Sequence, residues 1–230
     1  MEGVFAFAKP PDELIQDIEA AEEAKSLKTV VAYIHLLSTD IVKSPTQNGG
    51  VDDWSEAAEA AFDALYRLVK GGGNTDENET EPPGNASSSF LILGSVFCGL
   101  KPWRDDEAIV EVGLGCIVAI ASRAIKQETT TEAEANNHDD ETYESDVDVD
   151  FVFELMRDFG GESTVQEQAC LAIEGLALWK PSWKRRLRAC HGIRGELLKA
   201  RNERITNQRN KAYPVRAAKA LGIELELENE

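Results

Sequence analysis

Three histidines and four cysteines in 230 residues leave little from which to build a metal or redox site. Cys98, Cys116, Cys170 and Cys190 lie far apart and form no CxxC pair. That spacing offers neither a zinc ribbon nor a disulfide framework. Most of them fall in apolar stretches, which reads as buried thiols of a reducing compartment. His35, His138 and His191 belong to different parts of the chain, and only His191 has a cysteine beside it, Cys190. Adjacent residues do not share a helical face, so no metal centre is expected. The chain also lacks a Ser/His/Asp or Cys/His set, and no carboxylate pair sits in apolar surroundings that would tune one member upward. No enzyme activity, catalytic residue or cofactor is expected. Gly71-Gly72-Gly73 has no strand before it and no Lys-Ser/Thr after it. It reads as a helix exit rather than a phosphate cradle. The opening segment Met1–Ala8 carries Glu2, lacks a basic leader and soon reaches Pro10-Pro11. No apolar run approaches the roughly 20 residues of a membrane span. By elimination, a cytoplasmic or nuclear location without a membrane partner is expected.

Basic residues are in deficit, 24 against 42 acidic ones, for a net charge of −18. Such a chain repels phosphates and is a poor default binder of nucleic acid. The deficit is uneven. Between Lys180 and Lys219 stand 13 Lys and Arg against only Glu196 and Glu203, a local charge of +11. Trp179 and Trp183 flank the run Lys184-Arg185-Arg186, followed by Arg188. Cations interleaved with aromatics are the pattern of a docking patch for an acidic partner, or for RNA with rings to stack on it. The other reading is a solvated face or an internal partner for the acidic segments, with Trp183 packed under the next helix.

What the sequence has in quantity is helical periodicity, and the periodicity repeats. Ile109, Gly113, Ile117, Ile120 and Ala121 fall on Val165, Ala169, Ile173, Leu176 and Ala177 at an offset of 56. Steps of four, four, three and one mark one face of a helix. An earlier copy begins at Trp54 and places Ala58, Phe62, Leu65 and Tyr66 at the same steps. Upstream, Val96, Phe97, Leu100 and Trp103 fall on Val152, Phe153, Met156 and Phe159. Each unit is therefore expected to hold two consecutive helices joined by a short loop. Asp53, Asp106 and Ser163 are the expected N-caps, and the pairs Asp53/Glu56 and Ser163/Gln166 have capping-box spacing. The spacing predicts helices over 13–25, 27–42, 53–70, 90–101, 107–125, 149–158, 164–179, 191–203 and 212–222.

The segment Val165–Ala177 resembles the third helix of an armadillo repeat. Lys184–Ile193 looks like the next short first helix and Gly-Gly-Ile turn of that family, with His191 in place of the first glycine. Gly195–Arg201 resembles a second helix and Tyr213–Leu221 a further third helix. The resemblance is clearest over residues 147–222, and HEAT repeats are close relatives. It implies an all-α chain: one short right-handed α-solenoid of about three to four armadillo-like repeats across 1–230. Residues 12–43 would form an N-terminal helical cap and 180–222 a basic C-terminal repeat. Peptide-carrying armadillo proteins use a Trp and, four residues on, an Asn on each third helix. The equivalent places here hold Ala60, Gly115 and Leu171, then Ala64, Ala119 and Gly175. Basic import signals are therefore not expected to bind through such a ladder.

Two acidic segments, 71–89 and 128–147, interrupt the array and are expected to be flexible loops. From Glu128 to Asp150 there are ten acidic residues and no Lys or Arg. Asp146, Asp148 and Asp150 copy half of a calcium loop. Phe151 stands where glycine is needed and Arg157 where the bidentate Glu is needed. An acidic first turn of a helix explains them better. Asn78-Glu-Thr80 and Asn85-Ala-Ser87 match glycosylation acceptors by chance in a polar stretch, and Ser145 sits in an acidic context that suits an acidophilic kinase. The functional expectation is an interaction scaffold or adaptor. Its protein partner would be held by Gln168, Leu171, Gly175 and Leu178 on one helix and by Trp179, Trp183, Lys184, Arg185, Arg186 and Arg188. The alternative is an RNA- or polyanion-associated protein using the basic segment. The acidic stretch 128–150 is itself a candidate occupant of that segment, because it is tethered close by.

Overall fold

A computed structural model describes residues 10–40, 51–71, 86–131 and 147–225, and among these every regular element is a helix. The helices are α1 (Pro11–Glu23), α2 (Leu27–Asp40), α3 (Val51–Gly71), α4 (Ala86–Leu100) and α5 (Glu107–Thr131), with a 3-10 turn Lys101–Trp103 between the last two. There follow α6 (Asp150–Asp158), α7 (Ser163–Trp179), α8 (Pro181–Ala189), α9 (Ile193–Lys199) with a π-helical turn Ala200–Arg204, and α10 (Ala212–Leu221). The chain divides into two compact units: Met1–Pro82 with Ser95–Cys116, and Pro83–Gly94 with Ile117–Glu230.

The first unit packs α1 and α2 against α3. Pro11 opens α1 at a position where its missing N–H costs nothing, and Asp12 and Glu13 suit the positive helix end. Leu14, Ile18 and Ala21 bury one face of α1, and Val30, Ile34 and Leu37 one face of α2. Ala58, Phe62 and Leu65 of α3 are buried and Tyr66 partly so. Cys116 is enclosed here, donating to the Phe62 carbonyl at 3.2 Å. Burial, reinforced by the Asp63 charge, pushes its thiol far up. At Gly99 an added Cβ would lie 2.5 Å from Ile34 Cγ2, so only glycine lets these helices approach.

The second unit centres on α7, against which α6, α8 and α10 pack. Val165, Ala169, Ile173, Leu176 and Ala177 are all buried. So are their counterparts Ile109, Gly113, Ile117, Ile120 and Ala121 of α5. Val96, Phe97 and Leu100 match Val152, Phe153 and Met156 in the same way. The repeated face is thus a repeated core. Cys170 lies in it, its thiol also pushed up by burial.

Three local expectations need correction. Asp106 does cap α5, accepting from the Ile109 N–H at 3.3 Å. Asp53, however, lies inside α3, which begins at Val51. Ser163 is already helical and caps nothing; its Oγ accepts the Thr206 N–H at 3.1 Å. The acidic segments are shorter than expected, since Ala86–Ser89 belong to α4 and Glu128–Thr131 to α5. Residues 72–85 and 132–146, with His138, Ser145 and Asp146 among them, lie outside the described residues.

Helix α5 overturns the expectation about membrane-spanning length. Over Glu107–Thr129 it is long and apolar enough to cross a membrane by length and composition, with mean hydropathy 1.9. More than half of that window, 56%, is buried inside the fold, as in a core helix.

Candidate docking surface

The basic segment begins with an enforced break. Lys180 is extended, at φ −129° and ψ 127°, because it precedes Pro181. Pro181 then serves as the first residue of α8, so the chain leaves α7 and starts again in a new direction. The apolar spacing predicts no separate helix over α8, although the armadillo resemblance implies a short helix there. Gly192, left-handed at φ 88°, turns α8 into α9. It is the glycine of the His191-Gly-Ile turn read from the sequence.

Of the two readings of the aromatics, stacking on a ligand or packing, the structure bears out packing: both indoles are core. Trp179 is 3% exposed and Trp183 fully buried. Phe90 stacks on Trp179 at 4.9 Å and meets Trp183 edge-on at 5.5 Å, and the two indoles form a T at 5.1 Å. An i, i+4 pair on one unbroken helix would set both rings side by side on a single face. The break at Lys180 folds Trp183 back onto Trp179 instead. Phe90 closes the cluster, a role that its place at the end of a polar stretch did not reveal.

Glu128 ties the cluster down. One carboxylate oxygen accepts from the Trp179 indole N–H at 2.9 Å and pairs with Lys180 Nζ at 3.1 Å. The same ammonium lies 4.9 Å from the Phe90 ring centre. Beyond it, Arg186 donates to the Val147 carbonyl at 2.8 Å and to Asp150 at 3.1 Å, with Asp148 at 3.9 Å. The acidic stretch thus grips α7 and α8 from both of its described ends. Asp148 and Asp150, two members of the half calcium loop, have an arginine between them, and Asp150 opens α6 as its acidic first turn. Cys190, near Asp150, is raised to about 11 by burial and by that carboxylate. Cys98 departs from the buried-thiol reading and is exposed.

Two clusters hold further cations of the segment. Fully buried Gln166 donates to the carbonyls of Met156 at 2.6 Å and Phe159 at 2.9 Å, and accepts from Arg204 at 3.3 Å. It makes no capping box. Arg204 also pairs with Glu196 at 2.7 Å, and Lys199 reaches the same carboxylate at 2.9 Å. Burial alone would raise Glu196, but the hydrogen bonds from Lys199 and Arg204 outweigh it and lower its pKa. Arg216 of α10 pairs with Glu174 of α7 at 2.9 Å.

Compared with known family models, curated proteins and solved structures, the chain matches none. The site therefore rests on its own geometry. On α7, Gln168, Leu171 and Gly175 are half-buried and Leu178 is 59% exposed. Gly175 faces Ala121, whose Cβ would be 3.1 Å from an added Cβ. Its small size thus serves helix packing. On α8, Trp183 and Leu187 form the buried ridge, and Arg185 and Arg188 are exposed with Lys184 half-exposed beside them. No carboxylate among the described residues pairs with these three cations. Among the described residues no three His, Cys, Asp or Glu side chains are grouped to hold a metal ion.

Proposed function

We propose that the protein is a protein–protein interaction scaffold of armadillo-like helical repeats, working without catalysis or cofactor. The observation that carries this reading is the outer face of α8. Three cations on that one helix have no carboxylate partner among the described residues, whereas Lys180, Arg186, Lys199, Arg204 and Arg216 are each paired within the fold, and Arg201, Arg209, Lys211 and Lys219, also without one, are spread over other elements. Like charges left unpaired on one helix face disfavour the isolated chain and favour a bound anion. The run of short helix, turn, short helix and longer helix through α8, α9 and α10, with its left-handed glycine, supports the armadillo likeness. A cytoplasmic or nuclear setting suits the free thiols.

A second reading, binding of RNA or another polyanion, is favoured by the +11 local charge. The buried indoles weigh against it, because sequence-tolerant RNA binding relies on exposed rings. The test is reconstitution. A partner recovered with the intact protein is purified and mixed with it, and stoichiometric co-elution on gel filtration is expected. If no protein forms such a complex, the scaffold reading fails.

A further inference from the structure

We propose that the Lys184, Arg185 and Arg188 face of α8 docks an acidic segment of a partner protein, one carrying Asp or Glu at alternate positions. The proposal rests on the scaffold reading and gives its partner a chemistry.

Arg186 of the same helix shows what this neighbourhood recognises. It takes a backbone carbonyl, that of Val147, together with the carboxylates of Asp148 and Asp150. The ligand there is the acidic sequence Val147-Asp-Val-Asp150, read through main chain and alternate side chains at once. Arg186 is consumed by that contact. Its neighbours on the opposite side of α8 are not, and Trp183 and Leu187 anchor the helix so that the face is fixed. Arg185 and Arg188 are three residues apart, about 4.5 Å along the helix axis. Alternate residues of an extended strand project carboxylates about 6.5–7 Å apart on one side. Long flexible cation stems span that difference, and a guanidinium donates two parallel hydrogen bonds to a carboxylate. Arg188 lies beside Gly222 at the C-terminal end of α10, which places it at one end of the face.

Phosphates would match the charge but not the surroundings. Trp179 and Trp183 are buried, so neither indole beside α8 is available for a base to stack on. The chain carries a net −18, which repels a long polyanion more than a short acidic peptide.

The experiment uses the full-length protein and labelled ten-residue probes followed by fluorescence anisotropy. The probes are a peptide with Asp at alternate positions, its Asn counterpart, and single-stranded oligouridine. At about 50 mM salt the Asp peptide should bind and the Asn peptide should not. Raising salt to about 300 mM should weaken binding roughly tenfold, as the contacts are exposed and screened. Charge reversal at Lys184, Arg185 and Arg188 to Glu should abolish binding. Arg185→Gln with Arg188→Gln should weaken it roughly tenfold, and reversal of Arg209 and Lys211, elsewhere in the basic segment, should change it less than twofold. Oligouridine binding more tightly than the Asp peptide, with the same dependence on α8, would overturn the proposal in favour of nucleic acid. Binding that appears only after deletion of residues 132–146 would overturn it in favour of the chain's own acidic stretch. No binding in either form would leave the face a solvated surface. If the reconstituted partner complex survives the triple reversal, this inference fails and the scaffold reading stands.

Discussion

At the residue scale, single side chains decide more than their types suggest. Gln166 has capping-box spacing from Ser163, yet it is buried and bridges the end of α6 to α7 and Arg204. Truncation would leave two buried carbonyls and a guanidinium short of a partner, at about 1–3 kcal/mol for each unsatisfied group. Gln166→Ala should therefore lower the unfolding free energy by about 2–3 kcal/mol in urea. Glu196 behaves as a linked titration. Its folded pKa lies below the ordinary value of 4.5, so its contribution is complete above that value and is lost as pH falls through the folded one. Glu196→Gln should be less stable than the native chain at neutral pH. The difference between the two should shrink as pH falls below about 4.5 in parallel denaturation series. Lys25 is left-handed at φ 52°, a conformation that glycine adopts without cost, in the turn that closes α1 with Ser26 N–H on the Ala21 carbonyl. Lys25→Gly should stabilise by up to about 1 kcal/mol, seen as a rise in thermal midpoint.

At the element scale, what the sequence made legible was the buried face of each long helix. Periodicity located α1, α2, α3, α5 and α7 because a 3-and-4 apolar spacing has only one good outcome, a helix with that face covered. It blurred α8, whose nine residues hold one Trp and one Leu among basic side chains and so carry too few apolar positions to show a period. There the break came from Pro181, a local steric signal rather than a periodic one. Repeat position also marks close approaches. Gly113 occupies the register of Ala169, but an added Cβ would overlap the Leu100 side chain. Gly113→Ala should cost about 1–3 kcal/mol by overpacking, whereas Ala169 already carries that methyl group in its own unit. Chemical denaturation of the variant checks this.

At the scale of the whole molecule, charge was readable from the sequence alone. With a sequence pI near 4.6, net repulsion vanishes there, and solubility should pass through a minimum near that pH in a turbidity series. The sequence also determined helical class, the repeated core face and the cap at Asp106, since all three depend on residues within a few turns of one another. It placed the cations of the candidate site but left the rings open between stacking on a ligand and packing in the fold. Whether Trp179 and Trp183 face solvent depends on Phe90 and Glu128, 89 and 51 residues upstream of Trp179, and no local pattern encodes a partner so distant. The same holds for Arg186, taken by Val147 and Asp150, and for the neighbouring Lys184, Arg185 and Arg188, left without carboxylates among the described residues. Only the tertiary structure separated these cations. Helix type and charge follow from short-range chemistry, whereas exposure and pairing are set by which distant segments the packed chain brings together.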